Sequence, residues 1–290
     1  MILTSGAAAA LCSCSQGEKK TQDTDFHYLL DEFADLKVIR FRVPGWDNLS
    51  LRQKEYAYHL SEAAKLGRDI TWDQYCKWNL PIRHVVEDIL NEYEGDRECA
   101  DFQNFTVYAK RLFFANGIHH HYSEDKFFPE CPKEYFQSLM EAVGDGEQAT
   151  ELLEVIYSPD IYPQRRSTSK TGDIVELSAV NFYDGVTREE VDKYYNSMMD
   201  PNDKTPISYG LNTKVVKEDG KVVEKPWKVG GIYGPALEKI CAELEKAAAV
   251  AETDLQKEAI GKLVEYYRTG DLKTWDDFNI DWVQDTVGTI

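Results

Sequence analysis

The chain has 290 residues, a hydrophobic content of 42%, an aromatic content of 12% and a formal net charge of −18. This composition predicts a folded globule rather than a disordered chain, and the length suits one large domain or two ordinary ones. The acidic balance argues against binding to nucleic acid or to anionic membrane surfaces, because phosphate contacts need clustered Lys and Arg.

The first fourteen residues differ from the rest of the chain. Residues 2–11 are Ala-rich and apolar, and this run is too short to span a bilayer. It leads into Cys12-Ser13-Cys14, which resembles a bacterial lipoprotein signal with Cys14 as the acylated residue, although no Lys or Arg precedes it. An unstructured N-terminus is the alternative. The signal predicts a lipoprotein of the bacterial cell envelope, periplasmic or tethered at the outer membrane, that meets membrane only through its lipid.

A polar, acidic segment over residues 15–35 predicts a tether, and the folded region is expected over residues 36–290. Residues 37–43 alternate between apolar and polar side chains as a strand does, and Pro44 ends the pattern. The folded region therefore begins with a strand.

Helices with recognisable ends follow this strand. Their signals are a capping box at Ser50 and Gln53 for a helix to Leu66 that Gly67 closes, an N-cap at Thr71, Pro81 in the first turn of a helix ending at Gly95, and Gly117 after an apolar face that includes Phe105 and Leu112. Spacing of three and four residues along each segment predicts one buried face per helix.

The unusual chemistry of the chain is concentrated in the loop of residues 116–127, which contains His119, His120 and His121, half of the six histidines. Three interpretations compete. The imidazoles could bind a metal, but adjacent residues on an extended chain point to opposite faces, so at most two could share one ion. The loop could be a solvated polar segment. It could also be the wall of a cleft, where Tyr122 and the imidazoles meet a ligand.

The remainder of the chain alternates between helices and a few strands. Helices are predicted from Pro132, over residues 148–157, from a capping box at Thr187 and Glu190, over residues 235–251, and from a second capping box at Thr253 and Gln256 to Gly270; strands are predicted over residues 173–183, 207–217 and 222–229, with a hairpin turn at Asp219-Gly220. The Arg165-Arg166 pair reads as a solvated charge run unless an acidic group faces it. The fold class is therefore α+β, mostly helical with a small mixed or antiparallel sheet.

The cysteines after the signal do not form a recognisable framework. Cys76, Cys99, Cys131 and Cys241 are widely spaced, and we interpret them as packing residues, with one disulfide bridge possible and its pairing not predictable. The chain has no phosphate-binding Gly-rich loop, no Gly-x-Ser-x-Gly elbow and no His-Glu-x-x-His motif. No complete active site is found by these tests.

Several separated segments resemble, in order, the dipeptidyl peptidase III family. They are residues 116–122 with Lys126-Phe127 and Pro129, Val180-Asn181-Phe182-Tyr183 with residues 187–190, residues 211–214, 233–237, 267–270 and 282–285; residues 43–46 and 51–54 resemble the Bacteroides-type members. The resemblance covers about residue 33 to Ile290 and corresponds to the N-terminal portion of the family's proteins, the first part of their lower lobe.

The resemblance implies a zinc metallopeptidase, a hydrolase that removes dipeptides from peptide N-termini in a cleft between two lobes. The family's zinc helix, with its His-Glu-x-x-x-His motif, is expected after Ile290, so the chain would be truncated before it. We therefore expect no catalytic residue and no metal ligand in this chain, no zinc bound by it, and no activity by itself.

The resemblance also implies one substrate contact. Tyr122 aligns with the aromatic residue that lines the subsite for the N-terminal residue of the substrate, and His121 and Ser123 flank it. The expected partners are short peptides and the missing C-terminal half. The alternative function is a non-catalytic periplasmic lipoprotein that binds peptides.

Overall fold

The computed structural model describes residues 26–290. The predicted signal over residues 1–14, with Cys14, and the first part of the predicted tether lie outside the described residues. The chain divides after Arg42 into two compact units. The described part of the first unit is an antiparallel pair of strands, β1 (Leu29–Phe33) and β2 (Leu36–Ile39), joined at Ala34 with a φ of 48°.

The second unit, Val43–Ile290, is mostly helical. Its helices are α1 (Leu51–Leu66), α2 (Arg68–Tyr75), α3 (Asn79–Glu92), α4 (Ala100–Ala115), α5 (Lys133–Ala142), α6 (Ala149–Tyr157), α7 (Ile174–Leu177), α8 (Arg188–Asn196), α9 (Gly234–Ala249), α10 (Asp254–Thr269) and α11 (Leu272–Gln284); its strands are β3 (Tyr183–Asp184), β4 (Thr213–Glu218) and β5 (Lys221–Pro226). The predicted α+β class, with a small sheet among many helices, is confirmed.

Helix ends follow the local capping chemistry in most cases. At α1 the Ser50 hydroxyl accepts from the Gln53 amide and the Gln53 side chain accepts from the Ser50 amide at 2.7 Å, and α8 begins with the same reciprocal pair. At α10 the Thr253 cap is present, but the Gln256 side chain accepts from Glu252 instead, so this box is not reciprocal. The predicted N-cap at Thr71 is wrong, because α2 begins at Arg68 and Thr71 lies inside it.

The larger hydrophobic core forms between α3, α4, α5 and α6. Its fully buried aromatic side chains pack edge to face, with 5.0 Å between the ring centroids of Phe105 and Phe136. Other buried members are Ile82, Val86, Ile89, Leu112, Leu139, Met140 and Leu153. A second cluster joins α1, α9 and α10 through Tyr56, Leu237, Leu244, Ile260 and Val264. The first core carries the histidine loop, which leaves the end of α4.

The sheet of the second unit has the order β3-β4-β5, with a parallel β3-β4 pair and an antiparallel β4-β5 hairpin. The predicted hairpin turn is confirmed, since Asp219 and Gly220 both take positive φ, 49° and 75°. The predicted strand over residues 173–183 is wrong except at its end. The Asp173 carboxylate accepts from the Val175 amide at 2.8 Å and starts α7, which removes that segment from the sheet.

The four cysteines of the described chain are free: Cys76, Cys131 and Cys241 are buried, and Cys99 is partly exposed. This agrees with their interpretation as packing residues. Between Phe26 and Ile290 no helix is both long enough and apolar enough to cross a membrane.

Candidate functional site

The histidine loop begins at a helix end that the sequence placed one residue too late. Asn116, with a φ of 55°, takes the left-handed conformation that caps α4, and Gly117 follows with a φ of 147°. A Cβ on Gly117 would lie 2.2 Å from the buried side chain of Asn79. The Asn79 amide also accepts from the Ile118 N–H at 3.2 Å and donates to the Trp72 carbonyl at 3.0 Å. Glycine is therefore required here by close packing as well as by φ.

The loop then folds back on itself as a tight antiparallel turn. His119 pairs with Lys126, and the His120 N–H donates to the Asp125 carbonyl at 2.8 Å. Inside the turn, the Nδ1 atom of His120 accepts from the backbone amides of Tyr122 and Ser123, at 3.2 and 3.1 Å. Backbone groups that a solvated loop would leave to water are satisfied here within the loop itself.

The three adjacent histidines have three different environments. His119 is buried, and its Nε2 lies 2.9 Å from the Tyr162 carbonyl, which fixes Nε2 as the donor and leaves Nδ1 without a partner in the described chain. Burial lowers the pKa of His119 to about 4. The ring of His121 packs between Phe114, at 5.0 Å between centroids, and Tyr122, at 4.3 Å. The described residues contain no group of three or more His, Cys, Asp or Glu that could hold a metal ion.

Glu124 joins the loop to the segment that follows α6. Its carboxylate accepts from Arg165 Nη2 at 2.6 Å and from Arg166 Nε at 2.8 Å, and it also contacts Arg166 Nη2. The Arg165 N–H donates to the Glu124 carbonyl at 2.9 Å, and the Arg165 guanidinium stacks on the Tyr75 ring at 4.2 Å. The acidic group that the sequence left open for the Arg165-Arg166 pair is therefore Glu124.

The two arginines share this carboxylate but differ in burial. The Arg165 side chain is 9% exposed and the Arg166 side chain is 67% exposed. Hydrogen bonds from Arg166 and then from Arg165 hold the pKa of Glu124 well below its usual range, at about 2. Glu124 also has a φ of 64°, a conformation that costs a non-glycine residue about 1–2 kcal/mol. The ion pair supplies the interaction that keeps this backbone in place.

Lys126 anchors the far side of the loop. Its ammonium group is buried and donates to the carbonyls of Val155 at 2.7 Å, Ser158 at 2.5 Å and Ile161. Two of these carbonyls lie at the C-terminal end of α6, where a cation is favoured by the helix dipole. Burial lowers the pKa of Lys126 to about 8. This structural role was not predicted, because the three acceptors lie 29 to 35 residues away in sequence.

The residues predicted to contact a ligand lie together at the tip of this braced loop. The Tyr122 side chain is 85% exposed, the largest exposed fraction among the large hydrophobic side chains described. His121 is half-buried against it, and the exposed Ser123 hydroxyl accepts from the Asp125 N–H at 3.3 Å. The structure therefore places an open aromatic ring on a fixed backbone.

A polar network that sequence reasoning missed links α2 to the sheet. The Asp73 carboxylate accepts from the Tyr233 hydroxyl at 2.5 Å and from the Asn181 side-chain amide at 3.0 Å. Lys214 donates to the Asn181 side-chain oxygen at 2.7 Å. These residues come from four segments separated by up to 160 positions, so no local pattern signals the contact. Asn181, Lys214 and Tyr233 lie within segments that resemble the peptidase family, and this is the one sequence feature that points to them.

Comparison with known proteins finds similarity to one peptidase family. Residues 181–290 match the model of peptidase family M49. Over 279 aligned residues the chain is 24% identical to dipeptidyl peptidase 3 of Homo sapiens, covering 82% of this chain and 38% of that protein. Over 286 aligned residues it is 23% identical to dipeptidyl peptidase 3 of Rattus norvegicus, with the same two coverages. The chain thus spans well under half of the length of these relatives.

Two solved structures share the fold. Dipeptidyl peptidase III from Caldithrix abyssi superposes with a TM-score of 0.53 at 18% identity, covering 84% of this chain and 35% of that one. The enzyme from Corallococcus sp. strain EGB gives a TM-score of 0.51 at 16% identity, covering 84% and 34%. At these identities the similarity concerns the fold, and it extends to most of the chain.

The ion pair of Glu124 predicts a stability change on neutralisation. Glu124→Gln should lower the free energy of unfolding by about 2–3 kcal/mol at pH 7, because a buried guanidinium loses its charged acceptor. The folded-state pKa lies below the ordinary value of 4.5, so this stabilisation is full above pH 4.5 and is lost as the pH falls towards 2. Urea unfolding of both proteins between pH 7 and pH 3 measures the difference. The exposed Glu130→Gln is the matched control, and an equal effect of both substitutions would contradict the assignment.

Buried His119 predicts a second pH effect in a different window. Its folded-state pKa of about 4 lies below the ordinary 6.5, so the unfolded chain binds the proton first and stability falls as the pH drops from 6.5 to 4. The expected loss is on the order of 2–3 kcal/mol. His119→Gln keeps an amide donor for the Tyr162 carbonyl and should remove this loss. Urea unfolding at pH 7.5, 6, 5 and 4 compares the two proteins, and parallel pH curves would show that His119 does not carry the effect.

Proposed function

We propose, because the chain belongs to the dipeptidyl peptidase III family of hydrolases, that it forms the N-terminal part of the lower lobe of a zinc metallopeptidase that releases dipeptides from peptide N-termini. In this proposal residues 36–290 provide a surface on which a short peptide rests. The closer resemblance to Bacteroides-type members stays a prediction.

The observation that carries the proposal is the exposed ring of Tyr122, which lies on a loop whose backbone is fixed by hydrogen bonds and an ion pair. Glu124, Lys126 and Asn79 fix the backbone of the loop, and the ring of Tyr122 remains exposed. An aromatic face offers apolar area together with attraction for a cation, which suits the N-terminal residue of a peptide with its free ammonium group. The rings of His121 and Tyr122 lie 4.3 Å apart between centroids, and Ser123 is the next residue along the loop.

Zinc belongs to the family as a whole, and the residues described here do not fit it. Residues 1–290 contain no His-Glu-x-x-x-His sequence, and residues 26–290 bring no three potential ligands together. His119, the buried imidazole, donates through Nε2 to a backbone carbonyl. We therefore assign no hydrolytic step to these residues and propose that they bind peptide without cleaving it. Metal binding and hydrolysis would belong to protein outside residues 1–290, the proposed partner of this surface.

The alternative, a non-catalytic periplasmic lipoprotein that binds peptides, is not favoured by the comparisons, since the relatives reported above are dipeptidyl peptidases.

Peptide binding by the chain tests this function directly. A tetrapeptide with a free N-terminus and a C-terminal fluorophore should bind with a measurable anisotropy change, and Tyr122→Ala should weaken binding about three- to tenfold through loss of the ring face. Tyr122→Phe keeps the ring and should bind nearly as well as the wild type. The same protein, given zinc and an Arg-Arg-naphthylamide substrate, should release no naphthylamine.

Two controls keep this test specific. Tyr58→Ala removes an exposed tyrosine of α1 and should leave affinity unchanged. The N-acetylated form of the peptide should bind more weakly, because its N-terminus has no charge to meet the ring. Equal binding by the wild type and Tyr122→Ala would show that Tyr122 is not part of the subsite. Turnover of the naphthylamide would contradict the proposal that these residues bind peptide without cleaving it.

We also propose that Cys14 is acylated and that the protein is held at the bacterial cell envelope through this lipid. In a bacterial host supplied with a radiolabelled fatty acid, the wild-type chain should incorporate label and fractionate with membranes. Cys14→Ser should do neither, whereas the neighbouring Cys12→Ser should behave as the wild type does. Equal labelling of the wild type and Cys14→Ser would contradict lipidation at this residue.

A further inference from the structure

A cavity of about 490 Å³ with a mostly polar wall lies beside the sheet of the second unit. It is here called the polar cavity. Its wall is formed by most of residues 175–187, by Lys214 and Lys217 of β4, and by Lys77 and Tyr162. No residue of the histidine loop, 116–127, lines it. The three lysines make it a candidate site for an anion.

The ammonium group of Lys214 is held at the wall of the polar cavity. It donates to the Asn181 side-chain oxygen at 2.7 Å, and the Asp184 carboxylate lies 3.7 Å away. Both of these residues also line the cavity, which places the ammonium among the wall residues. The Asn181 amide is fixed in orientation, because its nitrogen donates to the Asp73 carboxylate at 3.0 Å and its oxygen is then left for Lys214. The position of this charge is therefore set before a ligand arrives.

Lys214 has donors left for a ligand. An ammonium group has three N–H donors, and among residues 26–290 this one makes a single hydrogen bond. Its side chain is 19% exposed, so the charge has lost part of its hydration but can still be reached. Asp184 is 71% exposed and lies beyond hydrogen-bond distance, so solvent screens its attraction. A partly buried cation with free donors favours a negatively charged acceptor.

The other two lysines of the wall differ in their partners. The ammonium of Lys217 lies 2.6 Å from the Glu190 carboxylate, which neutralises it. Lys77 is exposed, lies 5.4 Å from the centre of the Trp78 ring, and forms no ion pair within the described part of the chain. Lys77 and Lys214 are therefore the two cations available to a ligand.

The start of α8 adjoins the polar cavity, but its amides are already committed. The Thr187 N–H donates to the Glu190 side chain at 3.0 Å, and the Arg188 N–H donates to the Asp173 carboxylate at 2.7 Å. The Glu190 N–H donates to the Thr187 hydroxyl at 3.3 Å. Recognition of an anion here would therefore depend on the lysine side chains.

The acidic residues of the wall limit the charge that a ligand can carry. Asp184 and Glu176 both line the cavity, and the exposed Glu176 forms no ion pair among residues 26–290. They would repel a dianion more strongly than a monoanion. A carboxylate brings one charge to the two lysines, and Glu176 stays available for an ammonium group on the same ligand. The volume suits a molecule the size of an amino acid or a dipeptide.

We propose that the polar cavity binds a small monocarboxylate, with Lys214 Nζ donating to a carboxylate oxygen and Lys77 supplying a second positive charge. The carboxylate could belong to a free amino acid or short peptide, whose ammonium group would meet Glu176, or to an acid without an amino group. This inference does not rest on the proposed function.

Three ligands that differ in their charged groups test the proposal on the ¹⁵N-labelled chain. N-acetylglycine carries the carboxylate alone, glycine carries the carboxylate and the ammonium group, and glycinamide carries the ammonium group alone. N-acetylglycine and glycine should shift the amide signals of residues 183–187 and Lys214 in a saturable manner, and glycinamide should leave them in place. Tighter binding of glycine would identify an amino acid or peptide as the source, and tighter binding of N-acetylglycine an acid without an amino group.

Three results of these titrations would overturn the proposal. They are the absence of a saturable shift with either carboxylate, a shift with glycinamide equal to that with glycine, and tighter binding of inorganic phosphate than of both carboxylates.

Variants show whether the named lysines carry the binding. Lys214→Met should weaken binding of the tighter carboxylate about tenfold, because a charged hydrogen bond is lost, and Lys77→Met about threefold. Lys239→Met removes an exposed lysine of α9 that does not line the cavity and should leave the affinity unchanged. Equal affinities of the wild type, Lys214→Met and Lys77→Met would contradict the assignment.

An expected gain of affinity covers the case in which Lys214→Met does not fold. Asp184→Asn removes an exposed carboxylate beside the proposed anion and should tighten binding about threefold. Misfolding cannot produce such a gain. Unchanged or weaker binding by Asp184→Asn would count against a carboxylate next to Lys214.

Discussion

The carboxylate of Glu124 is the interaction on which the rest of the candidate site depends. It bonds to two guanidinium groups that lie 41 and 42 residues further along the chain, and so it closes the loop after α4 onto the segment after α6. Burying a charge is costly unless the charge is paired and hydrogen-bonded. Removing one partner therefore destabilises the fold, because the remaining charged group stays buried without its counter-charge. Arg165 stacks on Tyr75 and so links this ion pair to the end of α2.

The remaining contacts of the loop also fix its backbone. Lys126 ties it to the end of α6, Asn79 ties it to α3, and His120 satisfies its inner amides. Because the backbone is fixed in advance, a peptide that lies against Tyr122 would not have to order the loop on binding. The exposed ring is then a small apolar contact on a rigid support, which is how recognition loops are commonly arranged. The position of the Tyr122 ring therefore depends on the contacts that its neighbours make with α3, α6 and the segment after α6.

Sequence reasoning succeeded where the physics is local. The capping boxes at Ser50 and Thr187 and the Asp219-Gly220 turn were predicted because each depends on residues within four positions. It failed where one segment could form either of two local structures, and where the structure depends on contacts between residues far apart in the sequence. Asp173 could cap a helix or continue a strand, and its bond to Val175 decided for the helix.

The candidate site shows the same division between local and distant signals. The loop and the aromatic residue at its tip were singled out from the sequence, by composition and then by family resemblance, and their role stays a prediction. Glu124 as the partner of Arg165 and Arg166, and Lys126 as a cap for α6, were not found, because nothing in the sequence pairs residues some thirty to forty positions apart. The fold class and the similarity to dipeptidyl peptidases were within reach of the sequence. The contacts that fix the loop were visible only in three dimensions.

The central claim is that a peptide meets this chain with its first residue against the ring of Tyr122. Intermolecular nuclear Overhauser effects test it most directly, with a short peptide and the chain, the ring signals of Tyr122 being assigned through Tyr122→Phe. The account predicts contacts between that ring and the side chain of the peptide's first residue. Contacts confined to later residues of the peptide, or to tyrosines elsewhere in the chain, would contradict it.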